Sequence, residues 1–217
     1  MVFELACSDW TDSLGQGSID CPIINDDTTI VFASEGTGCQ DGFYTGAVFD
    51  TPVATFGDNF RITYIAKCAG GCFCASDVGE MCDPEFGFGT THDAWFAPKA
   101  YHWFYTWNDP YTEYGFFWFG GLDYITNDAH WTFGKPSPVH HWGNSTEPFT
   151  VEWTYLTDSQ TATLRLLQDG EIRWQNTIED VWTFAGNPYP GDSTPIYPII
   201  RINCGDVMLL RMSVKVW

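Results

Sequence analysis

Side chains of alternating character run through short segments of this chain, and that alternation limits the fold more than any other feature. Phe149, Val151, Trp153 and Tyr155 alternate with Thr150, Glu152 and Thr154. This period of two belongs to a half-buried strand. After the turn residues Thr157-Asp158-Ser159 come the segment Thr161 to Leu167, the turn Gln168-Asp169-Gly170 and the segment Glu171 to Asn176, which reads as a three-stranded meander. At the C-terminus Met208, Leu210, Met212, Val214 and Val216 alternate with Leu209, Arg211, Ser213 and Lys215. With Tyr197 to Asn203 before it and Cys204-Gly205-Asp206 between, this pattern predicts a closing hairpin. Further strands are predicted at Thr29 to Ala33, Gly46 to Phe49, Asn59 to Lys67, Tyr101 to Trp107 and Tyr114 to Phe119, and only Ile178 to Phe184 suits a helical turn. Many short strands with Gly, Pro, Asn and Asp turns imply an all-β antiparallel sandwich, and no linker or repeat divides residues 1–217 into more than one domain.

Charge excludes one class of partner. Nine basic residues face 28 acidic ones, a formal net charge of −19, and a nucleic-acid binder needs Lys and Arg to displace counterions from phosphate. Carboxylates spread over loops keep an aromatic-rich surface soluble and repel polyanions, so a neutral ligand is expected. No stretch reaches the roughly 20 apolar residues of a membrane span; the longest candidate is Gly115 to Leu122. Eight cysteines, Cys7, Cys21, Cys39, Cys68, Cys72, Cys74, Cys82 and Cys204, suit disulfides in an oxidising, extracellular compartment. The start, Met1 to Cys7, lacks the basic and apolar regions of a secretory leader. Cys68, Cys72, Cys74 and Cys82 do not have the C-x2-C spacing of zinc sites, and two disulfides bracing a loop are the expectation there. Asn144-Ser145-Thr146 is an N-glycosylation triplet within a Pro, Gly and His-rich loop, as a secreted glycoprotein would carry.

The segments FTVEWTYLTDSQTATLRLLQDGEIRWQN and YPIIRINCGDVMLLRMSVKVW resemble the closing strands of concanavalin A-like lectin and glucanase jelly rolls, and GAVFDTPVATFGDNFRITYIAKC is similar to the opening strands. The resemblance implies two curved antiparallel sheets in a jelly roll, a last strand returning beside the N-terminal one, and sugar recognised on the concave sheet or at its edge loops. Glucanases of this superfamily carry Glu-x-Asp-x-x-Glu on one strand, which this chain lacks. The nearest run is Glu80-Met81-Cys82-Asp83-Pro84-Glu85, where the proline disfavours a central strand. A retaining hydrolase needs two carboxyl groups about 5 Å apart, so catalysis through Glu80, Asp83 or Glu85 is the second reading.

The belt from Tyr101 to Trp142 is the strongest local anomaly. Aromatics occupy both faces of its predicted strands, and one set must fill a core. The others can act as a platform on which sugar rings stack, because Tyr and Trp join an apolar face to a polar tip. Tyr105, Trp107, Tyr111 and Trp142 lie nearest loops and are the stacking candidates, with His140 and Asp123 placed to bond hydroxyls. The oxygens of Asp123, Asn127 and Asp128 suit Ca²⁺, whereas His140 and His141, adjacent in sequence, point to opposite faces of a strand and make a poor metal pair. The alternative is a solvated loop. Gly-x-Ser-x-Gly, His-Glu-x-x-His, P-loop and dinucleotide fingerprints do not occur. Three functions are therefore expected in this order: a secreted, non-catalytic carbohydrate-binding domain, a glycoside hydrolase or polysaccharide lyase, and a self-associating subunit of an extracellular assembly.

Overall fold

The structure is a computed structural model and describes residues 2–3, 6–12, 17–21, 23–24, 27–34, 44–70, 84–90, 115–119, 147–180, 189, 191–203 and 206–217. Its strands in chain order begin with β1 (Val2–Phe3), β2 (Trp10–Asp12), β3 (Gly17–Asp20), β4 (Ile23–Ile24), β5 (Asp27–Thr28) and β6 (Ile30–Ser34). There follow β7 (Tyr44–Phe49), β8 (Ala54–Thr55), β9 (Phe60–Gly70), β10 (Pro84–Gly89) and β11 (Gly115–Phe119). The last are β12 (Phe149–Leu156), β13 (Thr161–Gln168), β14 (Glu171–Ile178), β15 (Pro195–Asn203) and β16 (Asp206–Val216). An eight-stranded sheet runs β14-β13-β12-β9-β16-β6-β3, with β1 also on β16, and a six-stranded sheet runs β11-β10-β15-β7-β2, with β8 also on β15. Every pairing is antiparallel, and β4 with β5 forms a separate ribbon. The last strand does lie beside the first, with Val2 opposite Ser213.

Alternation places the core between the sheets. Phe149, Val151, Trp153 and Tyr155 of β12 are buried beside Phe60, Ile62, Tyr64 and Ala66 of β9. They meet Phe86 and Phe88 of β10 and Ile196 and Ile200 of β15 from the smaller sheet. Phe88 stands edge-on to Trp153 at 5.6 Å and to Phe60 at 5.2 Å, the geometry that sets the positive ring edge against the negative ring face. The two sheets are also joined by hydrogen bonds. Trp153 Nε1 donates to the Phe86 carbonyl at 2.9 Å, and the Tyr64 hydroxyl donates to the Gly87 carbonyl next to it. The meander β12-β13-β14 forms as expected, and its second turn places Asp169 at φ 56° and Gly170 at φ 78°, the left-handed pair a two-residue hairpin needs.

Three expectations are corrected. The C-terminal pair is not a hairpin: β15 lies in the smaller sheet between β10 and β7, and β16 lies in the larger between β9 and β6. A turn sequence reports that the chain reverses, but not whether it returns to the same layer. The buried set on β16 is Val207, Leu209, Met212 and Val214, because an irregularity between Leu209 and Arg211 adds one residue and shifts the alternation. Pro84 opens β10, an interior strand, since the first residue of a strand tolerates the missing N–H. Of the expected helical turn, Ile178 ends β14, and residues 181–184 lie outside the described residues.

A disulfide joins Cys7, in the 3-10 turn Cys7–Asp9 before β2, to Cys21 directly after β3. It ties strands that belong to different sheets. Cys68 lies on β9, and Cys39, Cys72, Cys74, Cys82 and Cys204 lie outside the described residues.

Candidate functional site

Among the described residues β11 is an edge strand of the smaller sheet, and in sequence it lies within the aromatic belt. Among the described residues its partner is β10, with Phe86 opposite Trp118 and Phe88 opposite Phe116. Residues 91–114 leave β10 and come back as β11, and residues 120–146 carry the chain from that edge to β12 in the other sheet. The stacking candidates Tyr105, Trp107, Tyr111 and Trp142, with His140 and Asp123, belong to these two connections and lie outside the described residues, as do Asn127, Asp128 and Asn144. Of the carboxylates weighed for catalysis, Glu80 and Asp83 also lie outside, and Glu85 is on β10 opposite Arg201 and Phe119.

Aromatic side chains among the described residues mostly serve the core. Trp10 and Trp153 are buried, and Trp217 is 50% exposed. Tyr64 and Trp153 spend their polar tips on β10 carbonyls. Burial pushes the Tyr64 phenol pKa far above its ordinary value, so it stays a neutral donor. The Tyr189 hydroxyl lies 2.7 Å from Asp192 Oδ1 and 3.1 Å from the Phe56 carbonyl. Burial first, and then the Asp192 bond, push its pKa upward. These rings are braces. The alternation of Tyr64 and Trp153 marks them as core residues, but nothing in the sequence announces that their polar atoms bridge the sheets.

At the centre of the smaller sheet, β7 has buried apolar residues on both of its faces. Ala47 and Phe49 of β7 enter the inter-sheet core, while Val48 between them and its register partner Ile199 lie outside that cluster and are buried as well. Among the described residues no group of three or more His, Cys, Asp or Glu could hold a metal ion, and no helix is long and apolar enough to cross a membrane.

No protein-family model matches the chain, and no curated protein matches it in sequence. Solved structures do match. The lectin from Bauhinia forficata in complex with GalNAc superposes with a TM-score of 0.56 at 11% identity, covering 98% of this chain and 94% of that one. Lectin UEA-II complexed with galactose gives 0.54 at 10% identity, over 96% of this chain and 93% of that one. Arcelin-5, a lectin-like defense protein from Phaseolus vulgaris, gives 0.51 at 10% identity, over 93% and 91%. Two stacked antiparallel sheets, a last strand beside the first and this likeness along nearly the whole chain establish that the protein has the concanavalin A-like jelly-roll fold found in legume lectins.

Proposed function

We propose that the protein is a secreted, non-catalytic carbohydrate-binding domain that stacks a neutral glycan on Tyr105, Trp107, Tyr111 and Trp142, with His140 and Asp123 bonding sugar hydroxyls. The observation that supports this reading is that the two aromatic-rich connections flank β11 in sequence, and that β11 is an edge strand among the described residues of a lectin-type sandwich. Val48 and Ile199 at the centre of that sheet are buried, which favours an edge over the centre as the place where ring faces and polar tips meet a sugar. Galactose and GalNAc, the ligands named with two of the similar structures, are neutral, as the net charge of −19 favours. The Cys7–Cys21 disulfide supports an oxidising compartment. Fold alone does not fix function, and so the test is a binding test. A glycan array probed with the full chain, once with calcium and once with chelator, is expected to show neutral glycans retained; an empty array under both conditions contradicts the proposal. Calcium dependence would assign the ion to Asp123, Asn127 and Asp128. Reducing-sugar release from a bound glycan, lost on Glu85→Gln, would overturn the non-catalytic part.

A further inference from the structure

The scarce positive charge of this chain is not scattered. Arg61, Lys67, Arg165, Arg211 and Lys215, more than half of its nine basic residues, stand on the outer face of the larger sheet, on strands β9, β13 and β16. Their neighbours in sequence, Ile62, Ala66, Leu164, Leu166, Met212 and Val214, are buried, which fixes the direction of the cations. The carboxylates among them on these strands and β12 are Glu152 and Asp206. Glu152 is already shared, 3.2 Å from Arg165 and 3.6 Å from Arg61. Asp206 lies at the beginning of β16, opposite Gly70 and Ala33. Asp20 on β3, Asp169 in the β13–β14 turn and Glu171 at the start of β14 mark the margins. Among the described residues no ion pair engages Lys67, Arg211 or Lys215. Inside those margins five cations meet two carboxylates, so the middle of this face is locally positive on a molecule of charge −19.

We infer that this face is a second binding surface, one for an acidic polysaccharide. Three features meet on it. Cations line the β9–β16 pair: Lys215 opposite Arg61, Arg211 opposite Ile65 and Lys67 opposite Met208. From Arg61 to Lys67 is about 20 Å of strand, so the surface suits an extended chain with repeated acid groups. Hydroxyls stand between the cations, with Thr63 opposite Ser213 at the centre, able to bond sugar hydroxyls. At one end the ring of Trp217 is half exposed, with Lys215 Nζ 5.4 Å from its centroid, placing a stacking surface beside a charge. An acidic peptide would match the cations but does not present hydroxyls and an apolar ring face in every repeat. A second copy of this chain would bring a further −19 with it. An acidic sugar chain uses charge, hydroxyls and ring together. At physiological salt the screening length is about 8 Å, so a ligand lying on the face feels these cations more than the distant carboxylates, which confine it there. The inference is independent of the proposed platform at β11, which is on the other sheet and takes a neutral ligand.

The test uses the full chain and three probes: polygalacturonate, dextran sulfate and neutral dextran, with affinity measured at low and at physiological ionic strength. Binding to at least one polyanion, weakening with salt and absent for dextran, is expected. Lys67→Ser/Arg211→Ser/Lys215→Ser should lower the affinity about tenfold, since each exposed charge contributes modestly. Trp217→Ala should weaken binding while leaving its salt dependence in place, and it decides the matter if the triple variant does not fold. Equal binding by wild type and both variants, no binding to either polyanion at low salt, or equal binding to dextran overturns the inference. So does salt-sensitive self-association in sedimentation, lost in the triple variant with no polyanion bound, which would assign the face to another copy.

Discussion

Two buried indoles show how much depends on one hydrogen bond. Trp153 and Trp10 both fill the core, but Trp153 Nε1 donates across the sheets to Phe86, and Trp10 Nε1 is the buried side-chain polar atom without a partner among the described residues. A buried donor left unpaired costs about 1–3 kcal/mol. Trp153→Phe removes a satisfied bond as well as volume and is expected to lower unfolding free energy by about 2–4 kcal/mol. Trp10→Phe leaves a gap between Phe32 and Phe49 but removes the unpaired N–H, and should cost no more than about 1 kcal/mol. Urea denaturation of both variants checks the order, and Trp10→Phe as the more damaging change would contradict it. That both rings are core residues is legible for Trp153, whose neighbours alternate so plainly. It is not legible for Trp10, because β2 is only three residues long and too short for a period to register.

At the scale of elements, close packing between the β8–β9 turn and the approach to β15 offers a sharp test. Gly57 donates to the Asp192 carbonyl at 2.8 Å, and a Cβ built on Gly57 would lie 2.9 Å from Asp192 Cβ and 3.0 Å from that carbonyl oxygen. Gly57→Ala must push one segment from the other and is expected to cost about 1–3 kcal/mol, read as a lower thermal midpoint. An unchanged midpoint would show that the two segments are not held together. Nothing local in the sequence foretells this contact, since Gly57 and Asp192 meet only through the fold. The same reasoning covers the elements misread from sequence. The meander was legible because its strands are neighbours in sequence and space, joined by the Asp169-Gly170 turn. β15 and β16 are neighbours in sequence only, and the partners that separate them, β10 and β9, lie far away along the chain. The irregularity after Leu209 forms against β9 and leaves no composition signal.

Charge acts on the whole molecule. A net charge of −19 and a pI near 4.2 mean that self-repulsion shrinks as pH falls. Asp206 adds a local term of the same sign. Burial raises its pKa above the ordinary 3.8, so the folded state holds its proton more tightly than the unfolded chain does. Its ionised form therefore opposes folding above the folded-state pKa, and the penalty fades as pH falls toward 3.8. The thermal midpoint is expected to rise between about pH 8 and about pH 5.5. Asp206→Asn should raise the midpoint at neutral pH, with the gain shrinking as the solution is acidified; a midpoint falling steadily from pH 8 downward would contradict both. Net charge, however, was a poor guide to surface chemistry. Summed over the chain it argues against any acidic ligand, whereas the register of β9 and β16 gathers Arg61, Lys67, Arg211 and Lys215 on one face. The candidate sugar site was legible as residue types, Tyr105, Trp107, Tyr111 and Trp142 in one belt. That β11, which the belt flanks in sequence, is an edge strand among the described residues is a property of long-range pairing.

The most direct measurement is a tryptophan-fluorescence titration with a panel of neutral oligosaccharides, galactose- and GalNAc-terminated ones included, on the full chain, Trp107→Ala and Trp153→Phe. A saturable change in the full chain, kept in Trp153→Phe and lost in Trp107→Ala, is the expected result. No saturable change with any neutral sugar, or an undiminished response in Trp107→Ala, would contradict carbohydrate binding on the belt.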